Sequence, residues 1–256
     1  MAILWPMRSL HACLILFCAA CAGPAAETDG LPGSDLGGTQ EPFAPARALR
    51  DDWARSSPWS FEQRLAELGL AAWNPAAITT LKTALDGGEL KAVRAAVLLA
   101  HGAENSRETL LLRLESRVLS PERAGDAGDV VAAAALARWA DEKTSLRLAA
   151  LAVGERPHPD LEVRVECAAV ALNGQAGEEA SRLARWLVRV LHAGTPAEAG
   201  DAPDWTPTTF LAWAKGRAAA ALAERAGIPN RFCADGSFAE QLEVALEFSR
   251  RLHLAP

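Results

Sequence analysis

Cys18 and Cys21 stand three residues apart in the stretch LILFCAACAG near the start of the chain, and this spacing admits either metal ligation or covalent modification of a thiol. A structural thiolate site needs four ligands, and no second Cys or His pair lies nearby to complete one. Past the first 20 residues the histidines are His101, His158, His192 and His253, and none belongs to an HExxH or any other ligand spacing. His101 precedes a helix-ending glycine, and His192 sits in a last helical turn where carbonyls favour a cation, so both are expected to cap helices. There is no phosphate loop, no dinucleotide glycine fingerprint and no GxSxG elbow. The segment CADGS at Cys233 could suggest a nucleophile or a calcium loop, but it lacks alternating acidic ligands and reads as a turn in which Ser237 caps a helix. Carboxylate pairs such as Asp51-Asp52 and Glu178-Glu179 fall at boundaries or first turns, where carboxylates are expected anyway. The expectation is a protein without catalytic residues, metal or cofactor. The remaining enzymatic reading is a hydrolase whose two carboxylates meet only in space.

The elements around Cys21 give that cysteine a different meaning. Arg8 is the only charged residue before Glu27, and apolar character runs from Leu10 to Ala22, about 13 residues against the ~20 of a spanning helix. This is the length of a secretory h-region. Small residues then precede Cys21, and the sequence resembles a bacterial lipoprotein lipobox, with Cys18 standing where the family usually carries an aliphatic residue. The resemblance implies a signal peptide over 1–20, acylation of Cys21, and anchoring in the cell envelope, at the outer membrane facing the periplasm. An ordinary leader-peptidase cut after Ala22 and an uncleaved anchor are the competing readings, and Met7 competes with Met1 as the start.

Residues 21–50 are rich in Gly, Pro, Ala and acids, with only Leu31, Leu36 and Phe43 large and apolar between Ala22 and Arg47. Such a segment buries too little surface to offset its ordering entropy and reads as a disordered tether. The folded part is expected over 51–256, with Trp53 and Trp59 as early core residues and a Pro/Gly-rich insertion at 194–207. The chain carries 26 Lys and Arg against 32 Asp and Glu, a net charge of −6, without a basic block, which argues against nucleic-acid binding. Alanine dominates the 50% hydrophobic fraction and Tyr is absent, which moves the expectation to all-α.

Helix signals repeat along the body. Ser60 with Gln63, Asn74-Pro75, Ser106, and Ser237 with Glu240 mark starts, while Gly87-Gly88, Gly102, Ser120-Pro121 and Gly227 with Pro229 mark stops. Four segments resemble one another: AVRAAVLLAHG from Ala92, DVVAAAALARW from Asp129, EVRVECAAVALNG from Glu162 and KGRAAAALAERAG from Lys215. Val93 and Val130 are 37 residues apart, and Val130 and Val163 are 33 apart, a period that belongs to helical-pair repeats.

DLEVRVECAAVALNGQAGEEA, from Asp160 to Ala180, resembles the bacterial HEAT repeat at Asp160, Val163, Arg164, Ala168 and Leu172, and Val93-Arg94 carries the same dipeptide. The second copy departs, with Val131 where the family has Arg. The resemblance implies antiparallel hairpins stacked as a short α-solenoid, in which Arg94 and Arg164 bond neighbouring repeats. Cys167, on an apolar helix, reads as a buried free thiol, and pairing with Cys233 is the alternative. Trp139, Trp186 and Trp213 read as core, and Trp205, within DAPDWTP, as a partner-binding contact. The function expected from these features is an exported, membrane-tethered scaffold that binds a protein or peptide. A pilotin-like assembly factor built as a compact bundle is the alternative.

Overall fold

The computed structural model describes residues 75–100, 105–120, 127–195, 198 and 208–254. Over these residues the chain is helical, with no strand. The elements are α1 (Pro75–Leu85), α2 (Glu89–Ala100), α3 (Asn105–Leu119), α4 (Ala127–Ala135) with a 3-10 turn (Leu136–Trp139), α5 (Glu142–Val153), α6 (Leu161–Gly174), α7 (Gly177–His192), α8 (Thr208–Ala226) and α9 (Phe238–Arg251).

Local chemistry sets the ends. Pro75 opens α1, where its missing N–H costs nothing. Asp141 caps α5 by accepting from the Thr144 amide at 2.7 Å, and Asp160 caps α6 by accepting from the Val163 amide at 3.0 Å. Ser237 and Glu240 exchange both bonds of a capping box at the start of α9. Gly227, at φ 65°, closes α8 with its amide on the Glu224 carbonyl while Ile228 donates to the Ala223 carbonyl. One start differs from its sequence signal. The helix begins at Asn105, so Ser106 lies inside the first turn, fully buried, with no bond from its hydroxyl. Packing has drawn Ser106 inward and left no geometry for capping.

After α1 the helices come in pairs, and their packing follows two rows. The first helices α2, α4, α6 and α8 each pack on the next, and so do the second helices α3, α5, α7 and α9. Buried alanines line the first row: Ala92, Ala95 and Ala96 in α2, Ala132 and Ala133 in α4, Ala168, Ala169 and Ala171 in α6, Ala214, Ala218 and Ala219 in α8. Short side chains let these helices approach closely while leucines from the second row fill the layer between them. Gly174 marks the tightest approach, since a Cβ there would lie 2.0 Å from the Ser145 hydroxyl of α5. Helix α6 lies deepest, with every residue from Leu161 to Leu172 buried, three of them charged.

Candidate functional site

Those buried charges belong to a set of ties within the first row and between the two rows. Asp129 on α4 is fully buried and accepts from Arg113 Nε at 2.5 Å and Arg117 Nε at 3.2 Å, both on α3. Glu166 on α6 takes a two-pronged bond from Arg217 on α8, at 2.6 and 2.8 Å. Arg164 donates from Nε to the Ala152 carbonyl at 2.9 Å and stacks on the Trp186 ring at 4.8 Å, joining α5, α6 and α7. A shared device runs through these contacts. Arg113 donates to the Leu85 carbonyl, Arg138 to the Ala100 carbonyl at 2.6 Å, and Arg164 to Ala152, each an acceptor in the last turn of another helix. The final carbonyls of a helix lack intrahelical donors and carry its negative pole, so a guanidinium satisfies both needs.

On the outer side, Arg147 of α5 bridges Glu108 and Glu115 of α3 with contacts of 2.7 to 3.0 Å. These bonds raise the guanidinium pKa, Glu115 first and Glu108 next, and the bond from Arg147 lowers that of Glu108. Around this lock the second row turns large apolar residues to solvent. Leu112 and Leu119 on α3 are 54% and 77% exposed, and Leu146 on α5 is 50% exposed. On α7 the exposed face carries Arg182, Arg185 and Arg189, while Ala180, Leu183, Leu187 and Leu191 face the core. Arg182 is held by Glu179 at 2.7 Å; among the described residues Arg185 and Arg189 make no ion pair or side-chain hydrogen bond.

Of the residues singled out in the sequence, Cys21 and Trp205 lie outside the described residues, as do His101 and the Ser60–Gln63 start. Val93 and Val163 are core residues of α2 and α6, Arg94 is half-buried in α2, and Asp160 and Arg164 make the cap and ties described above. Trp139, Trp186 and Trp213 are partly buried against the core. Cys167 and Cys233 are free thiols; burial pushes the Cys167 pKa up, with Glu166 and Asp129 adding to it.

His192 departs from the expected cationic cap. Its Nε2 is buried with no partner, and desolvation, then Lys215, holds its pKa below the usual value. Lys215 is itself buried on α8, bonded to Gln241 Oε1 at 3.1 Å, and its charge opposes a proton on His192.

Sequence reasoning missed Asp129, Arg113, Arg117 and His158. The first three carried no local signal, because Asp129 lies 16 residues from Arg113 and 12 from Arg117. His158, 1% exposed before α6, accepts the Asp160 amide on Nδ1 at 3.1 Å. Its Nε2 therefore carries the proton, yet it has no partner. Desolvation foremost, with Arg117, Arg164 and Arg113 adding to it, lowers its pKa to about 3.

Among the described residues no group of three or more His, Cys, Asp or Glu could hold a metal, and no helix is long and apolar enough to cross a membrane. Comparison of the chain with protein-family models, with curated proteins and with solved structures finds no match.

Proposed function

We propose that this chain is an exported, lipid-anchored α-solenoid of HEAT-like pairs whose second helices present a docking face to a protein or peptide partner in the cell envelope, without catalysis or cofactor. The observation that carries the reading is the two-row packing, first helix on first helix and second on second, with Leu112, Leu119 and Leu146 of the second row exposed among the described residues. A row of helices fixed by buried ties and lined with exposed leucines has the character of a binding surface, because isolated apolar residues are common on proteins but a shared outward face of them is not. The leader, lipobox-like Cys21 and acidic tether support anchoring at the outer membrane, with the body held away from the lipid.

Two measurements test the proposal. Native-state hydrogen exchange on a solenoid should show the terminal pairs opening without the centre, since each pair contacts only its neighbours. A single cooperative opening of all helices would favour a closed bundle. Cys21→Ser should move the protein from the membrane to the soluble periplasmic fraction and abolish palmitate labelling; retained label and membrane association would refute the anchor.

A further inference from the structure

The outward face of the second row has two chemically different parts, and together they specify a partner. The first part is apolar. Leu112 and Leu119 lie seven residues apart on α3, and Leu146 lies on the adjoining α5. The acids beside them are already engaged, Glu108 and Glu115 by Arg147, and Asp141 by Arg107 at 2.6 Å. The second part is cationic. Arg185 and Arg189 sit one turn apart on the exposed face of α7, the next helix of the row, and among the described residues neither has an ion pair. The chain as a whole is acidic, at −6, so this pair of unengaged arginines runs against its charge balance.

We infer that this face takes an acidic, amphipathic segment of a partner protein, its apolar side chains against Leu112, Leu119 and Leu146 and its carboxylates against Arg185 and Arg189. The inference rests on the scaffold reading above and names the chemistry of its partner. Neighbouring packed helices stand roughly 10 Å apart, so α3 and α7, with α5 between them, are about 20 Å apart, and a helix of four turns, about 22 Å long, spans from the leucines to the arginines. Guanidinium forks suit carboxylates, which they bond in pairs. A flat anionic membrane is the poorer fit. Glu142, Glu178 and Glu243 are exposed on α5, α7 and α9, and a plane would meet them along with the arginines. A segment one helix wide covers less of the row than a plane does.

The test uses the full chain and a fluorescent, helix-forming probe peptide of about 18 residues, with leucines at i, i+3 and i+4 and glutamates on the opposite face. Fluorescence anisotropy should detect binding that weakens with salt. Both Arg185→Glu/Arg189→Glu and Leu112→Ser/Leu146→Ser should weaken it by roughly tenfold or more. All four positions are exposed, so both variants should keep the native melting curve; should the charge reversal disturb folding, Arg185→Gln/Arg189→Gln replaces it. Equal affinity in the arginine variant, equal binding of a probe with lysines in place of glutamates, or binding to phosphatidylglycerol vesicles without binding to the peptide would each overturn the inference. Photo-crosslinkers at positions 146 and 185 in cells separate this inference from the reading beneath it. Crosslinked partner segments rich in acids and leucines support both. Non-acidic segments overturn the acidic partner and leave the scaffold standing, and no crosslink from either position overturns the scaffold itself.

Discussion

Replacing Asp129 by asparagine removes one charge from the fold and almost no volume. Asp129 is fully buried, and the side chains of Arg113 and Arg117 that meet it are only 4% and 6% exposed. After the substitution two guanidiniums remain in the interior. Among the described residues Asp86 also approaches, 3.7 Å from Arg113, but it is 67% exposed and too solvated to replace the lost charge. Breaking a buried pair from one side costs about 3–5 kcal/mol, because the partner's desolvation is no longer offset. At roughly 2–4 °C per kcal/mol for a domain of this size, the melting temperature should fall by about 10 °C, read by far-UV circular dichroism. Arg185→Ala, an exposed control, should stay within about 0.5 kcal/mol of the native chain. The triple change Asp129→Leu, Arg113→Met, Arg117→Leu should recover most of the loss, since an apolar core of similar volume often equals a buried ion pair. It should stop about 1–3 kcal/mol short, because the Leu85 carbonyl loses its donor from Arg113. A melting temperature for Asp129→Asn indistinguishable from native would refute the reasoning and leave apolar contacts alone to hold α3 on α4.

Arg164→Ala should cost about 3–5 kcal/mol in denaturant unfolding, and Arg164→Lys should rescue little, because a point charge cannot both reach the Ala152 carbonyl and stack on Trp186; a loss under about 1 kcal/mol would mean a solvated arginine. His158 is held neutral in the fold, its pKa lowered from 6.5 to about 3, so the unfolded chain binds the extra proton and stability falls as pH drops from 6.5 towards 3. Its contribution to that slope is roughly 1.4 kcal/mol per pH unit, and His158→Gln should remove it; unchanged acid sensitivity in the variant would exclude His158 as the cause. Gly174→Ala should destabilise by about 1–3 kcal/mol, and Ser145→Ala, which deletes an unpartnered buried hydroxyl, should be neutral or stabilising and should soften the cost of Gly174→Ala when the two are combined in a double-mutant cycle. His253 closes α9 at φ 52°, a conformation that costs a side chain about 1 kcal/mol, so His253→Gly should raise the melting temperature by a few degrees; a fall would show that its side chain matters more than its backbone.

Much of the helical body was legible in the sequence because its signals are local. Pro75 and Gly87-Gly88 bound α1, Gly227 ends α8, and Ser237 with Glu240 opens α9 through bonds that span a few residues of backbone. Alanine content set the helical class, and the recurring Val93, Val130 and Val163 fall in α2, α4 and α6. Where tertiary contacts outweigh such signals, the local reading slipped: Ser106 is buried within its helix, α4 tightens into a 3-10 turn at Leu136–Trp139, and desolvation, with Lys215, lowers the His192 pKa. The exposed leucines and free arginines of the second row could not be told from core or solvated residues by type alone. Only the arrangement of the rows settled which faces remained outside. The ties that fix those rows were hidden for the same reason. Arg113 and Asp129 are 16 residues apart, Glu166 and Arg217 are 51 apart, and Arg164 bonds a carbonyl that carries no residue-type signature. Helix formation is dictated by neighbours within one or two turns, whereas the partner of a buried charge is whichever group the packing of distant helices brings within 3 Å.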